Sequence, residues 1–363
     1  VTFVVTQFAM DITVLIARYL GEKRPQYIGQ VIGGSIVVFA LISAVLFVVL
    51  VGFARPISVL MQAPEEALGL TSGYVRICGA GIFFIVAYNL LAAIFRGLGD
   101  SQSPLLFVLV ACIVNVFGDL FLVAGLHLDA AGAAIATLAA QAASVVCAVI
   151  MLLKKHLPFK LCKADFRLNP QCRKFLSIGL PLALQEFLTQ LSFLALCAFV
   201  NRLGLEASSG YGVACKIVNF AMLIPSALMQ SMAAFVSQNI GAGSKKRARQ
   251  SMFTGIGIGL AFGCAVFANA FAYLKGFAPE TIATAVLFSM VGYFNGNNKT
   301  VWVMVQGLVQ TLLVRLPMAY FMSIQPNASL TMIGLAAPTS TAVGIVLNIC
   351  FYFYFERTSR SDS

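Results

Sequence analysis

The sequence predicts an all-α polytopic membrane protein with two six-helix lobes that are related by a parallel pseudo-repeat. Composition is the first reason: 60% of the 363 residues are hydrophobic and only 10% are charged, with a mean hydropathy of +0.92. Soluble domains contain roughly 45–50% apolar and about 25% charged residues. The other two reasons are a series of long apolar runs and a regular alternation of charge between the loops that join them.

The apolar runs are each long enough to cross a hydrocarbon core of ~30 Å as a helix. Eleven runs are present, at roughly 1–20, 28–53, 67–95, 104–126, 130–153, 174–200, 208–239, 249–270, 276–295, 301–324 and 330–355. Since the sequence begins with Val1 in the middle of a run, we expect the first helix of the fold to be missing and the amino-terminal lobe to be incomplete.

Loop charges predict the orientation of these spans. Positive charge collects in one alternate set of connections, which are Lys23/Arg24, Arg96, the stretch 154–174, Lys245/Lys246/Arg247/Arg249, Lys299 and Arg357/Arg360. The opposite set has few basic and several acidic residues, which are Arg55, Arg202, Lys275, Glu65, Glu66, Asp129, Glu206 and Glu280. Cytoplasmic loops carry the excess of Lys and Arg, so the first set is predicted to be cytoplasmic in a multi-pass protein of the inner or plasma membrane.

An internal repeat indicates two lobes. Leu20–Arg24 aligns with Ile240–Ser244, and Arg96-Gly97 aligns with Asn295-Gly296. A complete chain would then have six spans in each half, and an even number gives both halves the same orientation. The matching segments are closer together in the second half, so we expect a shortened segment near Phe267–Phe271.

The most charged stretch, 154–174, carries seven Lys or Arg residues and is predicted to be the cytoplasmic loop between the lobes. The predicted domains are therefore an incomplete amino-terminal lobe at 1–153, the inter-lobe loop at 154–174 and a carboxyl-terminal lobe at 175–363.

Several classes of function are disfavoured. The net charge of +11 lies mostly in short loops, as orientation requires, so nucleic-acid binding is not expected. The nine cysteines show no Cys-x-x-Cys spacing, and two histidines are too few for a metal or catalytic centre. No phosphate-binding loop of the form Gly-x-x-x-x-Gly-Lys-Ser/Thr occurs. We therefore expect no enzyme, no metal and no cofactor, and an ion gradient as the energy source.

Asp119 is the strongest candidate for ion coupling. It lies inside a predicted span, where an ionisable group costs ~2.5–3.5 kcal/mol on insertion scales. Asn115 is four residues earlier, on the same helix face. Such a carboxyl group can exchange a proton or a small cation. The alternative is a structural Asp that is hydrogen-bonded to a neighbouring helix.

Gln185 and Glu186, about a turn after Pro181, and Glu280, next to Pro279, are candidates for the lining of a substrate cleft for organic cations. Either glutamate has a structural alternative, and Glu280 could lie near the outer interface. Other charged residues lie in or beside spans and are explained as well by snorkelling or by pairing between helices; they are Asp11, Arg76, Lys216, Lys275 and Arg315.

The order and spacing of several short motifs resemble those of the multidrug and toxic compound extrusion (MATE) family of secondary transporters. These motifs are Arg96-Gly97-Leu98-Gly99-Asp100-Ser101, Asn115-x-x-x-Asp119, Gly132-Ala133-Ala134-Ile135-Ala136-Thr137, Gly179-Leu180-Pro181, Gln238-Asn239-Ile240-Gly241-Ala242 and Arg315-Leu316-Pro317.

The resemblance implies twelve helices in two lobes around a central cleft, and export of cationic, amphipathic compounds in exchange for H⁺ or Na⁺. It also implies that Asn115, Asp119 and Thr137 form a cation-coupling site, whose first-helix Asp would lie upstream of Val1. Some members use carboxylates on helices seven and ten, where this sequence has Thr189 and Thr284, with Glu186 and Glu280 about one turn away.

We therefore expect a monomeric, ion-coupled drug antiporter that works by alternating access. A lipid-linked precursor flippase of the same superfamily is the alternative, although it would require a cationic cleft. A membrane scaffold without transport activity is a third possibility, which the buried Asp119 disfavours.

Overall fold

The fold is entirely α-helical within the residues described, as the sequence predicted. The computed structural model describes residues 2–60, 68–155, 162–201, 215–216, 219–270, 278–325 and 330–361. The chain divides into two compact units, Val1–Leu176 and Ser177–Ser363. Within the described ranges, seven helices are long and apolar enough to cross a membrane, and a bent pair of helices would make an eighth.

The first unit contains seven α-helices and the start of an eighth. They are α1 (Thr2–Gly21), α2 (Pro25–Gly52), α3 (Ala54–Leu60), α4 (Leu68–Ala80), α5 (Ile82–Gly97), α6 (Gln102–Asp119), α7 (Asp129–Lys154) and α8 (Pro170–Asn201), which continues into the second unit. A π-helical segment, Leu120–Gly125, extends α6, and a 3₁₀ turn, Lys163–Asp165, precedes α8.

The second unit contains the rest of α8 and seven further helices. They are α9 (Leu223–Gly241), α10 (Lys245–Ala270), α11 (Ala278–Gly296), α12 (Thr300–Leu308), α13 (Leu316–Ser323), α14 (Leu330–Gly334) and α15 (Ala336–Ser361). A second π-helical segment, Val309–Arg315, joins α12 to α13. Ten of the eleven predicted spans coincide with one of these helices or with a helix pair, and the span 208–239 overlaps α9 but begins outside the described residues. The predicted shortening near Phe267–Phe271 concerns a connection that lies mostly outside the described residues.

The internal repeat has a structural signature at its helix ends. Lys23 and Gly243, which the repeat aligns, have φ of 56° and 74°, and the aligned Gly99 and Asn298 have φ of 79° and 58°. In each case the next residue donates its N–H to the carbonyl five residues earlier, at 2.8–2.9 Å. This is the left-handed helix ending that normally favours glycine. The same four turns lie on the side predicted to be cytoplasmic.

Helix α1 is the centre of the first unit. It packs antiparallel to α2, where Phe8 contacts Phe39 with ring centroids 5.7 Å apart. It packs parallel to α5, where the Thr6 hydroxyl donates to the Asn89 side-chain oxygen at 2.8 Å and the Thr13 hydroxyl donates to the Ala93 carbonyl at 2.9 Å. Polar side chains therefore join these helices inside an apolar core.

The last part of the predicted inter-lobe loop is docked on the first unit. A Cβ atom on Gly33 of α2 would lie 2.4 Å from the Asp165 carbonyl oxygen, so only glycine allows this approach. The Asn169 side-chain amide donates to the Gln30 carbonyl at 2.8 Å, and the Tyr19 hydroxyl donates to Gln171 at 2.7 Å. The boundary between the two units accordingly lies after this segment, inside α8.

Asp100 fixes the turn between α5 and α6 to the end of α7. Its carboxylate accepts from the Ser103 backbone N–H at 3.1 Å and from the Ser103 hydroxyl at 2.5 Å, and it pairs with the Lys155 ammonium. Burial raises the pKa of Asp100, but the hydrogen bonds from Lys155 and Ser103 outweigh this effect and lower its pKa to about 2.

We predict that Asp100 and Lys155 are coupled in a double-mutant cycle of Asp100→Asn, Lys155→Met and the double variant. The expected coupling is roughly 0.5–1 kcal/mol, because Lys155 is partly exposed. A folded-state pKa below the ordinary 3.8 means that the contribution is complete above that value and is lost as pH falls toward about 2. Thermal unfolding in detergent measures both effects; additive losses from the two single variants would contradict the pairing.

Candidate functional site

Helices α6 and α7 approach closely at the level of the predicted coupling residues. A Cβ atom on Gly118 would lie 2.9 Å from the Ala136 Cβ and 3.3 Å from its Cα. Small residues at a membrane helix interface let two backbones approach. The pair Gly118 and Ala136 therefore brings the neighbouring polar residues, Asp119 on α6 and Thr137 on α7, to the same part of the interface.

Asn115 and Thr137 are in contact. The Asn115 side-chain amide donates to the Thr137 hydroxyl oxygen at 3.4 Å, and that hydroxyl donates its own proton to the Ala133 carbonyl at 2.9 Å. The Thr137 oxygen consequently faces Asn115 as an acceptor. Two of the three residues predicted for cation coupling are thus brought together by the packing of α6 on α7.

Asp119 is the last residue of α6, one turn beyond Asn115. Its Oδ1 atom is buried and has no hydrogen-bond partner. The π-helical segment begins at the next residue, and the Leu126 N–H accordingly bonds to the Phe121 carbonyl five residues earlier, at 3.0 Å. Such segments are rare and frequently lie at functional sites. No signal in the sequence predicted this irregularity.

Helix α4 lies on the other side of α7 and adds a tyrosine to this region. Tyr74 lies one turn before Cys78 on this helix, which packs on α7. The axis bends by 49° between α4 and α5. At that bend, Gly81 has no side chain, and a Cβ atom there would lie 1.9 Å from Leu138, the residue after Thr137.

Gln141 is a polar residue of this interface that the sequence reasoning missed. It lies one turn after Thr137 on α7, and its side-chain oxygen is buried without a partner. One further turn along, the Ser144 hydroxyl donates to the Phe107 carbonyl of α6 at 3.0 Å. The spacing of Thr137, Gln141 and Ser144 is the signal that indicates a polar stripe on one helix face.

The cleft candidates Gln185 and Glu186 lie on α8 in the second unit. Gln185 packs against Gly307 of α12, where a Cβ atom would lie 2.3 Å from its amide nitrogen. Glu186 accepts a hydrogen bond from Gln190, one turn later, at 2.7 Å. Thr189, which the family resemblance placed in this region, donates to the Gln185 carbonyl at 2.9 Å.

Glu280, the third cleft candidate, lies in the first turn of α11 and is 3% exposed. Its Oε2 atom is buried without a hydrogen-bond partner, and Arg315 attracts it electrostatically. Arg315 ends the second π-helical segment, donates from Nε to the Ser340 hydroxyl at 3.2 Å and lies over the Phe193 ring at 5.1 Å. The burial of Glu280 places its side chain inside the helix bundle, which is compatible both with a role in a substrate cleft and with a structural role.

The described part of the second unit shows no hydrogen bond that links Gln185, Glu186 and Glu280 to one another. Across the described ranges of the whole chain, no group of three or more His, Cys, Asp or Glu side chains is arranged to hold a metal ion. Within these ranges the buried carboxyl groups are therefore not clustered, and they lie among amides, hydroxyls and, in the second unit, the buried Arg315.

A comparison with protein-family models identifies the family. The MatE family model matches residues 1–121 and 181–275, which together are more than half of the chain. The chain belongs to the MatE family. The resemblance to MATE transporters that the sequence motifs indicated is thereby confirmed, and multi-pass membrane insertion follows from the family and from the apolar helices.

Curated relatives of this MatE protein include transporters of different description. It is 27% identical over 252 residues to the probable multidrug resistance protein YoeA of Bacillus subtilis, covering 67% of this chain and 54% of that protein. It is 26% identical over 215 residues to an FAD transporter of Shewanella oneidensis, covering 58% and 48%. The chain spans about half the length of the curated relatives that it matches.

Solved structures share the fold of this MatE chain. One is described as the outward-facing conformation of a multidrug resistance MATE family transporter, with a TM-score of 0.87, 18% identity, and coverage of 96% of this chain and 84% of that one. Another is a transporter of the same superfamily from Pyrococcus furiosus, described by a reverse polarity of its binding pocket, with a TM-score of 0.87, 19% identity, and coverage of 99% and 85%.

We predict that Gly118→Ala destabilises the protein by roughly 1–3 kcal/mol, the usual cost of overpacking. The added methyl group would meet the Ala136 Cβ, which cannot move without its backbone. Gly257→Ala on α10 is the matched control, since nothing lies within 4 Å of its added Cβ, and we expect it to be neutral or slightly stabilising. Thermal unfolding in detergent measures both; equal midpoints for the two variants would show that α6 and α7 are not in tight contact.

Proposed function

We propose that the complete transporter exports cationic, amphipathic compounds in exchange for H⁺ or Na⁺, with Asp119 as the coupling carboxylate. The observation that supports this most is the partnerless, buried oxygen of Asp119 one turn from the Asn115–Thr137 hydrogen bond. An unsatisfied carboxylate oxygen inside a membrane helix bundle is costly unless it binds something.

The groups around Asp119 suit a proton or a small hard cation. The Thr137 hydroxyl proton is committed to Ala133, so its oxygen is an acceptor, and Asn115 contributes an amide. Oxygen donors are the ligands that hard cations prefer. A carboxyl group in the same place can instead take up one proton. Both readings use the same three residues, Asn115, Asp119 and Thr137.

Alternating access is the proposed mechanism. A coupling ion at Asp119 would stabilise one arrangement of the lobes, and bound substrate would stabilise the other. An ion shifts such an equilibrium only by its difference in affinity between the two states. The Gly118–Ala136 contact and the π-helical segment that follows Asp119 support this proposal, because both connect the geometry of α6 directly to the coupling carboxylate.

The nature of the substrate is proposed from charge. Glu186 and Glu280 would favour an organic cation, and the relative YoeA is described as a probable multidrug resistance protein. The alternative, a flippase for lipid-linked precursors, needs a cationic cleft for pyrophosphate. Arg315 is a buried cation of the second unit, and the same unit also buries the carboxyl group of Glu280. The cleft candidates Gln185, Glu186 and Glu280 are neutral or acidic, which favours drug export over the flippase.

We further propose a monomer in the plasma membrane or the bacterial inner membrane, with no enzymatic activity and no cofactor besides the coupling ion. The bilayer and small organic cations would be its partners. The basic residues of the turns near Lys23, Lys155 and Lys299 would face the cytoplasm, as the distribution of loop charge requires.

We predict that Asp119→Asn lowers efflux of the cationic dye ethidium by at least about fivefold, the size expected when a coupling free energy of ~1–3 kcal/mol is lost. Asparagine keeps the shape of the side chain and removes its ability to ionise. The measurement uses the full-length transporter in proteoliposomes, with imposed gradients of pH or of sodium.

Asp129→Asn is the matched control for this experiment, because Asp129 is an exposed carboxylate at the start of α7. It should leave efflux unchanged. If Asp119→Asn exports the dye at the wild-type rate under both gradients, Asp119 is not the coupling carboxylate. Flipping of a fluorescent lipid-linked pyrophosphate without ethidium efflux would support the alternative function.

A further inference from the structure

Asp11 is a buried carboxyl group that the coupling site described above does not use. It lies in the middle of α1 and is 0% exposed. Neither of its carboxylate oxygens has a hydrogen-bond partner. Helix α1 packs on α2 and α5, whereas Asn115, Asp119 and Thr137 lie at the interface between α6 and α7. Asp11 therefore belongs to a separate part of the first unit.

The polar groups that lie at the same level as Asp11 along the helix axes already form hydrogen bonds with other partners. The contacts of α1 with α2, Phe8 with Phe39 and Tyr19 with Tyr27, place Ser35 at the level of Asp11. The Ser35 hydroxyl donates to the Ile32 carbonyl of its own helix at 2.8 Å. Polar groups that face Asp11 from α2 are thus used within α2.

The same holds for α5. Thr6 bonds to Asn89 and Thr13 bonds to the Ala93 carbonyl, which places the apolar residues between 89 and 93 at the level of Asp11. The Asn89 amide donates to the Ile85 carbonyl at 2.8 Å. In the described part of α1, every residue from Phe8 to Ala17 is buried, so the carboxyl group is enclosed by packed side chains.

Charged and titratable groups on the surrounding helices lie well away from Asp11 along the bundle. The nearest on α1 itself is Arg18, seven residues or ~10 Å along the axis, and it pairs with Glu22 at 3.1 Å. The others have contacts of their own, near the ends of the helices except for Tyr88, which lies in the middle of α5 beside Asn89. They are Tyr19 and Tyr27, which pack on each other, Tyr88, which packs on Phe107, Lys174, which donates to Tyr19, and Arg96 at the end of α5.

The surroundings distinguish a proton from a metal cation. A sodium ion requires several oxygen ligands, and the hydroxyl groups and amides at this level bond to other partners. A proton requires a single carboxylate oxygen. An ionised carboxylate in such an apolar place has no compensating charge or donor, so the neutral acid is the stable form in the arrangement described.

We propose that Asp11 is a second proton-binding site of the amino-terminal lobe, occupied in this arrangement and able to release its proton when the packing of α1 on α2 and α5 changes. The proposal depends on the proposed function only for the part that Asp11 plays in transport. It identifies the proton as the ion that binds at Asp11. The loss or gain of one proton at Asp11 would then bias the position of α1, the helix around which the unit is packed.

Carbodiimide labelling tests the site independently of transport. Dicyclohexylcarbodiimide adds to a protonated carboxyl group in an apolar environment and rearranges to a stable N-acylurea, so atoms and charge balance without another reactant. We expect the peptide that contains Asp11 to be labelled in the purified full-length transporter, as measured by mass spectrometry. Labelling, corrected for reagent decay at each pH, should fall at least tenfold from the acidic to the alkaline end of the range in which the protein stays folded.

Three variants complete the test. Asp11→Asn should abolish this label and keep the fold, since asparagine replaces a neutral acid of the same shape, and Asp11→Leu provides a second variant if asparagine unfolds the protein. Asp119→Asn should leave the label at Asp11 unchanged. Absence of label at every pH overturns the proposal. So does a label that does not change with pH, because it indicates a permanently protonated, structural acid.

Measurements of dye efflux distinguish the proposed proton site at Asp11 from the proposed transport function. Asp11→Asn should flatten the dependence of ethidium efflux on an imposed pH gradient by at least fivefold while Asp11 labelling in the wild type persists. If wild-type protein exports no dye but labels at Asp11 with the expected pH dependence, the proposed function fails and the proton site stands. If dye efflux and its pH dependence are unchanged in Asp11→Asn, the coupling role of Asp11 is wrong.

Discussion

Polar side chains inside the membrane must find their partners within the protein, and this constraint explains most of the interior of both units. With no water in the hydrocarbon core, an unsatisfied polar group costs several kcal/mol. The solution that recurs here is a hydroxyl or amide that bonds to the backbone or side chain of a neighbouring helix. Thr13 with Ala93, Ser144 with Phe107 and Arg315 with Ser340 are of this kind.

Three carboxyl groups and several amides, Gln141 among them, depart from that rule. Asp11, Asp119 and Glu280 each have a buried oxygen without a hydrogen-bond partner in the described residues. An amide or hydroxyl is already neutral, whereas an ionised carboxylate can lower the cost of burial by binding a proton. The unsatisfied carboxyl oxygens on α1, α6 and α11 are for this reason the groups on which the proposals above rest.

The two units use the same local devices with different side chains. Both contain a π-helical segment in the span that follows the aligned pairs Arg96-Gly97 and Asn295-Gly296. In the first unit this segment begins after the acidic Asp119, and in the second it ends at the basic Arg315. The two units therefore share this backbone feature but place residues of opposite charge beside it. This difference is consistent with the proposal that the first unit couples the ion and the second unit binds the substrate.

Glycine sets the distances on which these sites depend. Gly118 admits Ala136, Gly81 admits Leu138, and Gly307 admits Gln185. Each of these approaches lies beside a polar residue that the proposed mechanism uses or that borders it. An added methyl group would force the side chains of Leu138 or Gln185 to move at Gly81 and Gly307, whereas at Gly118 it would press on the Cβ and Cα of Ala136 and so on the helix itself.

The sequence alone determined the class of fold, the position of the spans, the internal repeat and the family, because hydropathy, loop charge and motif spacing are properties of the chain itself. Spacing and resemblance also predicted that Asn115, Asp119 and Thr137 share one site, and the structure joins Asn115 to Thr137 by a hydrogen bond. Even the left-handed helix ends at Lys23 and Asn298 lie where the repeat aligns them with Gly243 and Gly99.

Only the tertiary structure decided which polar groups are paired. Burial depends on neighbours that are distant in the sequence. Asp11, which the sequence explained by snorkelling or pairing, is fully enclosed, and its carboxylate oxygens have no hydrogen-bond partner among the described residues. The π-helical segments and the unpaired oxygen of Gln141 depend on the same long-range packing. The basic stretch 154–174 shows this as well: its charge predicted a loop, and its contacts with Gly33, Gln30 and Tyr19 attach its last part to the first unit.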